Sequence, residues 1–114
     1  MAHVVWVAGG RDYDQFSEMR TALDQFAGSV LITGAARGAD LLAEDIWRRW
    51  QRPYIGIPAE WDMYGRAAGY RRNAEIARGR LIGQPDMLVA FPGGKGTGHA
   101  IDLAVQHDIE VWTP

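Results

Sequence analysis

The stretch SVLITGAARGADLLAEDIWRRW, residues 29–50, decides the fold. Ser29 to Thr33 is a short apolar run, as expected of a strand covered on both faces. The turn from Thr33 to Asp40 carries Gly34 and Gly38, and from Asp40 to Trp50 a helix follows. Its inner face is Leu42, Ala43, Ile46, Trp47 and Trp50, at helical spacing. A strand running through a glycine turn into an amphipathic helix is half of a βαβ unit, so the next strand pairs parallel to the first.

The same alternation extends outward in both directions. Upstream, Val4 to Ala8 reads as a strand ending at Gly9-Gly10. A helix is expected from Asp12, with Gln15 three residues on completing a capping box, Phe16, Met19, Leu23 and Phe26 on its buried face, and Gly28 closing it. Downstream, Tyr54 to Ile57 is a third strand behind Pro53. A long connection follows, Pro58 to Arg66, and then a helix from about Ala67 to Arg78 with Tyr70, Ala74 and Ala77 inward. Asp86 to Phe91 is a fourth strand, PGGKGTG a turn, Thr97 to His107 a fourth helix and IEVW a fifth strand. Five strands alternating with four helices predict one α/β domain over 1–114. The expected architecture is a three-layer Rossmann-like fold with a mainly parallel sheet of order 3-2-1-4-5, the order being that usual for such folds.

Composition bounds the function. The 114 residues carry 12 basic and 14 acidic side chains, a net charge of −2, which offers polyanions no bulk attraction and makes nucleic acid an unfavoured partner. No cysteine is present, which excludes disulfides, thiolate metal sites and cysteine nucleophiles. The N-terminal apolar run is short and lacks a basic lead, so a strand in a cytoplasmic domain is expected, not a signal peptide or a membrane span. Eleven of the twelve basic residues are arginine, with Lys95 the exception. Arginine bias has two readings, genome composition or forked recognition of an oxyanion, and position must decide between them.

Three glycine-rich turns, AGGRDY (8–13), TGAARGAD (33–40) and FPGGKGTG (91–98), each lead from a strand into a helix. In an open α/β sheet these turns meet beyond the carboxyl ends of the strands, where bare amides and helix dipoles favour a phosphate or carboxylate. Arg11, Arg37 and Lys95 lie in them. Glycine in such turns also serves geometry alone. The Walker A pattern is not met, because Val89 and Gly96 stand where a glycine and a Ser or Thr are needed, and no GxGxxG occurs. Trp61 and Tyr64 in the long connection either stack on a base or close a small core of their own. Arg71 and Arg72 are adjacent, so only one can point inward. His99 would stand near a bound anion, whereas His3 and His107 read as surface residues. No cluster suits a metal, and Ser17 and Ser29 lie away from the turns, so no serine triad is expected. Of the acidic residues near the turns, Asp40 and Glu44 share one helix face.

GGRDY, ITGAARGADLLAE, PAEWDMYGRAAGYRRNAEIA and LVAFPGGKGTGHAIDLA, in this order, resemble the YspA/YpsA-related branch of the SLOG superfamily, which also includes the Lonely-guy phosphoribohydrolases and the DNA-processing protein of natural transformation. The resemblance implies binding or sensing of a nucleotide or nucleotide-derived phosphorylated small molecule, without a resident cofactor. It implies a ligand site made of Gly9, Gly10, Arg11, Gly34, Arg37, Gly38, Asp40, Gly93, Gly94, Gly96 and Thr97, with Arg72 and Asn73 matching the family's arginine–asparagine pair. Trp61, Lys95 and His99 join the candidates from the residue reading. Lonely-guy enzymes carry a catalytic glutamate shortly after PGGxGT, and His99 stands there in this chain, so glycosidic cleavage would need Asp40 or Glu44 as substitute. Phosphoribohydrolase activity is the alternative, and single-stranded nucleic-acid binding a weaker one. Five tryptophans, with Trp47 and Trp50 on one helix, suggest surplus apolar surface, and the related proteins are commonly oligomeric, so a homo-oligomer, first a dimer, is expected.

Overall fold

A computed structural model describes residues 3–114, Met1 and Ala2 of the expected domain lying outside the described residues. Strands β1 (Val4–Ala8), β2 (Val30–Thr33), β3 (Tyr54–Gly56), β4 (Met87–Ala90) and β5 (Glu110–Trp112) alternate with helices α1 (Phe16–Leu23), α2 (Ala39–Arg49), α3 (Trp61–Tyr64), α4 (Ala68–Arg78) and α5 (Lys95–Gln106). All the strand pairs are parallel, in the order β3-β2-β1-β4-β5. The expected three-layer α/β architecture is present.

Period-two alternation divides the core between two faces. Val5 and Val7 of β1 pack with Met19, Leu23, Ala43, Ile46 and Trp47 beneath α1 and α2. Trp6 and Ala8 point the other way, onto Ile76 and Ala77 of α4 and Ala100 and Leu103 of α5. The chain therefore winds outward on one face through β3, then crosses β1 to β4 and continues on the other face. Strand order reverses between β1 and β4, and there a crevice opens at the carboxyl ends.

The structure corrects several local expectations. The first helix starts at Phe16, not Asp12, and no capping box forms. The Gln15 amide donates to Asp14 Oδ1 at 3.0 Å, Asp12 faces Arg37 at 3.5 Å, and the preceding turn is held by other parts of the chain. Gly28 does not close the helix, which tightens into a 3₁₀ turn at Asp24–Phe26 before Gly28 is reached, and Gly28 does not take a left-handed conformation. The long connection is not wholly irregular: Trp61 and Tyr64 lie in the short α3, followed by a 3₁₀ turn at Gly65–Ala67. On α4 the inward face is Ala68, Asn73, Ile76 and Ala77, whereas Tyr70 is 46% exposed. The fourth long helix starts at Lys95, because the Gly98 amide already donates to the Gly94 carbonyl at 3.0 Å.

The tryptophans contribute little to the exposed apolar surface, which comes instead from side chains such as Leu41, Met63, Leu81 and Val105. Trp6 and Trp47 are buried in the chain's own core, Trp50 packs on Trp47 with ring centroids 5.1 Å apart, and Trp112 packs on Phe26. Only Trp61 is largely exposed. Composition counts aromatic rings but not the helix faces that absorb them.

Candidate functional site

The turns after β1, β2 and β4 are knitted together by backbone. The Gly10 amide donates to Pro92 O at 2.8 Å, and the Gly10 carbonyl accepts from Ala39 N–H at 3.1 Å and from Tyr13 N–H at 3.2 Å. A Cβ on Gly10 would stand 2.9 Å from Pro92 O, and one on Gly93 2.7 Å from the Gly10 nitrogen. Gly38 combines φ +85° with close contact to the Gly10 and Arg11 backbone. These glycines let three turns pack face to face. Gly94, Gly96 and Gly98 differ, since a Cβ on any of them would meet nothing within 4 Å and none has a left-handed φ. Two of these three lie inside α5, where glycine costs about 0.5–1 kcal/mol relative to alanine. Packing does not explain them.

Beyond these turns lies a cavity of about 670 Å³, within the usual range for small-molecule sites. Its floor is the end of β1 through Arg11, with Gly34, Ala36 and Asp40 on one side and Gly94 to Thr97 on the other. Trp61, Arg66, Gly69, Tyr70, Arg72 and Asn73 from the α3–α4 segment form its outer wall. A smaller cavity of about 450 Å³ adjoins it toward β3, and Arg11, Gly34, Ala36, Trp61 and Arg72 line both.

Arg72 organises the centre. Its Nη1 donates to the carbonyl of Gly34, just after β2, and to that of Ile57, just after β3, at 3.2 Å for the second. Its Nε donates to Asn73 Oδ1 at 2.8 Å. The guanidinium lies against Gly34, where a side chain would displace it. Arg71, on the next position, points outward and covers the Tyr64 ring at 3.9 Å. Asn73 is buried and extends the network, its amide reaching Gly96 O at 3.4 Å.

Electrostatics around the cavity favour an anion. Arg11, Arg66, Arg72 and Lys95 line it against one carboxylate, Asp40, among the described residues, although the chain as a whole is acidic. Burial lowers the Arg72 pKa; Asp40 opposes that, and the positive charge of Arg11 adds to it. Asp40 is 6% exposed and accepts the Ala36 amide at 3.2 Å. Its carboxyl is raised from the ordinary 3.8 to about 6, mainly by burial, against the opposing effects of the Ala36 amide and Arg72. The two helix starts at the cavity differ in charge. The first turn of α2 contains Asp40, which complements the dipole, whereas α5 has no acidic residue there and begins with a lysine. The first amides of α5 have no intrahelical partner. An anion at this end would be met by backbone donors and Lys95 together.

Comparison with known proteins adds a relationship. The chain is 35% identical over 91 residues to the Gene 61 protein of Mycobacterium phage D29, covering 74% of this chain and 70% of the phage protein. It belongs to the Gene 61 protein family. No protein-family model matches the chain, and no solved structure matches it.

In this Gene 61 family member, most residues singled out from sequence converge. Gly9, Gly10, Arg11, Gly34, Asp40, Trp61, Arg72, Asn73, Gly94, Lys95, Gly96 and Thr97 line the main cavity. Arg37 lines the side cavity instead, 72% exposed and 3.5 Å from Asp12. Gly38 and Gly93 pack behind the lining. Two candidates lie outside both cavities. Glu44 accepts the Thr33 hydroxyl at 2.6 Å under the β2–β3 edge. His99 is held behind the wall by Tyr70, in edge contact at 4.4 Å, and by Asn73 at 3.5 Å, and burial lowers its pKa. Sequence reading missed Arg66, Gly69 and Tyr70 as lining residues. Their signal was the position of the long connection, which returns across the crevice. Among the described residues no cluster of three or more His, Asp or Glu side chains is placed to hold a metal ion, and no helix is long and apolar enough to cross a membrane.

Proposed function

We propose that this domain binds a nucleotide or a nucleotide-derived phosphorylated small molecule at the carboxyl edge of its sheet, as a member of the YspA/YpsA-related branch of the SLOG superfamily. The observation that carries the reading is the cavity itself, lined by four cationic side chains and one carboxylate and bounded by the uncapped first turn of α5. A phosphate takes the amides of Gly96 and Thr97 with Lys95, and the base lies along Trp61 and Tyr70.

The test is thermal stabilisation by a panel of nucleoside phosphates, since a ligand confined to the folded state stabilises it by about 2.7 kcal/mol at a hundredfold excess over its Kd. Lys95→Ala is expected to weaken binding at least tenfold. Arg48→Ala should leave it unchanged, because Arg48 and Arg49 lie on exposed α2 surface and pair with Asp45. No stabilisation by any nucleotide at millimolar concentration refutes the reading.

One observation favours hydrolysis of the N-glycosidic bond as a second reading. Asp40 is a buried carboxylate lining the cavity, and a carboxylate beside the ribose would stabilise the developing oxocarbenium charge. Glu44, tied to Thr33, is not available for that role. Release of free base from a nucleoside monophosphate, abolished by Asp40→Asn while binding persists, would establish the enzyme.

A further inference from the structure

The main cavity leaves one of the turn arginines unused. Arg37 lies in the glycine turn after β2, yet it lines only the side cavity, whereas Lys95 lines only the main one. The two spaces also differ in charge. Arg11, Arg37 and Arg72 line the side cavity, and among the described residues no aspartate or glutamate does. The main cavity sets Asp40 against its cations. Three like charges around a space of about 450 Å³ repel one another, and a negative group between them relieves that repulsion.

The protein supplies little of that negative charge itself. Among the described residues neither Arg11 nor Arg72 forms an ion pair. Arg37 meets Asp12 at 3.5 Å, but the two side chains are 72% and 97% exposed, so water screens the contact. Arg72 is held in place by the Gly34 and Ile57 carbonyls and by Asn73. Arg11 is steadied over the Trp61 ring at 5.7 Å. The remaining lining, Ala35, Ala36, Pro58 and Ala59, is small and apolar, and brings no side-chain acceptor to compete with an anion.

Recognition here differs in kind from that at the start of α5. The Ala35 amide donates to Thr33 Oγ1 at 3.0 Å and the Ala36 amide to Asp40 Oδ2 at 3.2 Å, so both are already engaged. An anion in the side cavity therefore meets guanidinium forks, whereas at α5 it meets bare amides and a lysine. Guanidinium forks match the paired oxygens of an oxyanion. Three positive charges favour a divalent oxyanion over a monovalent carboxylate or a halide.

We infer that the side cavity is a second anion subsite, separate from the start of α5, which takes a compact divalent oxyanion of the phosphate type on Arg11 and Arg37 beside the charge of Arg72. The subsite does not depend on a nucleotide in the main cavity. Its occupant is either an inorganic ion or a further charged group of a ligand that extends from the main cavity.

Amide NMR of the isotope-labelled chain, titrated with inorganic phosphate against sodium chloride at equal ionic strength, reads the two places separately. The amides of Ala35, Ala36 and Arg37 report the side cavity, and those of Gly96 and Thr97 the main one. Both groups are expected to shift with phosphate and with sulfate, and neither with chloride. Acetate should move the first group only at several-fold higher concentration. Arg37→Ala should weaken the first response about threefold, the scale of an exposed charge contact, and leave the second unchanged. Asp12→Asn removes the competing carboxylate and should strengthen the first response. Lys95→Ala should weaken the second alone. Added adenosine 5′-triphosphate tells the two sources apart. A phosphate response at residues 35–37 that survives it marks a separate ion, competition marks a charged group of one ligand, and either result supports the subsite. Silence of residues 35–37 at millimolar phosphate, or an equal shift with chloride, overturns it. So does a response at 35–37 that Lys95→Ala abolishes and Arg37→Ala preserves, since one anion in the main cavity then accounts for both groups.

Discussion

Replacing Asp40 by asparagine should change the pH dependence of folding in a direction set by burial. The Asp40 carboxyl is raised from 3.8 to about 6 in the folded protein, with burial as the largest cause. The native state then holds its proton more tightly than the unfolded chain, so this group destabilises the fold fully above about pH 6 and not at all below its unfolded value. At 1.36 kcal/mol per unit, the shift amounts to about 3 kcal/mol. As pH falls from 7 to 4, the natural protein recovers most of that amount from Asp40, about 2.4 kcal/mol, whereas the Asp40→Asn variant has nothing to recover. Asparagine still accepts the Ala36 amide through its carbonyl oxygen, so the local turn is retained. Arg72 lacks this counter-charge in the variant at every pH, and the natural protein loses the same charge as Asp40 takes its proton, so the effect is already contained in the Asp40 shift. His99, whose pKa is lowered by burial, contributes alike to both proteins. Urea unfolding of the two proteins at pH 4, 5, 6 and 7 measures the difference directly. The stability of the variant relative to the natural protein should rise by about 2.4 kcal/mol from pH 4 to pH 7. A difference that is flat with pH would refute the assignment of a buried, proton-retaining carboxyl at the cavity.

Gly98→Ala and Gly96→Ala should each stabilise the protein by up to about 1 kcal/mol in thermal unfolding, because neither Cβ meets another atom, but only Gly96→Ala should weaken the response to inorganic phosphate. Gly34→Ala should displace the Arg72 guanidinium and cost about 1.5–3 kcal/mol, the scale of hydrogen bonds to a charged group. Combined with Arg72→Ala it should add little, and full additivity in that double-mutant cycle would show that the two positions are independent. Trp47→Ala should cost about 3–5 kcal/mol in urea unfolding, since the residue is wholly buried and its indole N–H donates to Ser29 O at 2.9 Å. A cost near zero would return Trp47 to the surface.

Local hydrophobic pattern was enough to specify the sheet. Each strand is a short apolar run, each helix has an apolar stripe, and right-handed crossovers leave few ways to join them, so the α/β architecture was legible from residues 29–50 outward. The glycine turns were legible as a group for the same reason, because they fall between strand and helix in chain order. What each glycine does was not. Gly10, Gly38 and Gly93 are required by turn-to-turn contact, and Gly94 and Gly96 are not, a distinction made by neighbours more than 20 residues away. Helix ends were misread where side chains had two possible partners. Gln15 and Asp12 fit a capping box by spacing, yet Asp14 and Arg37 take them. The pair Arg71 and Arg72 was undecided until Gly34 and Ile57 supplied carbonyls for one of them. Glu44 and Asp40 share a helix face, but Thr33 draws one away and the cavity keeps the other. The sequence by itself determined the elements, their parallel pairing and the edge of the sheet at which chemistry could gather, because these follow from periodicity and chain order. Only the tertiary structure decided which cations, aromatics and carboxylate share the cavity, because that depends on distances between segments that no local pattern encodes.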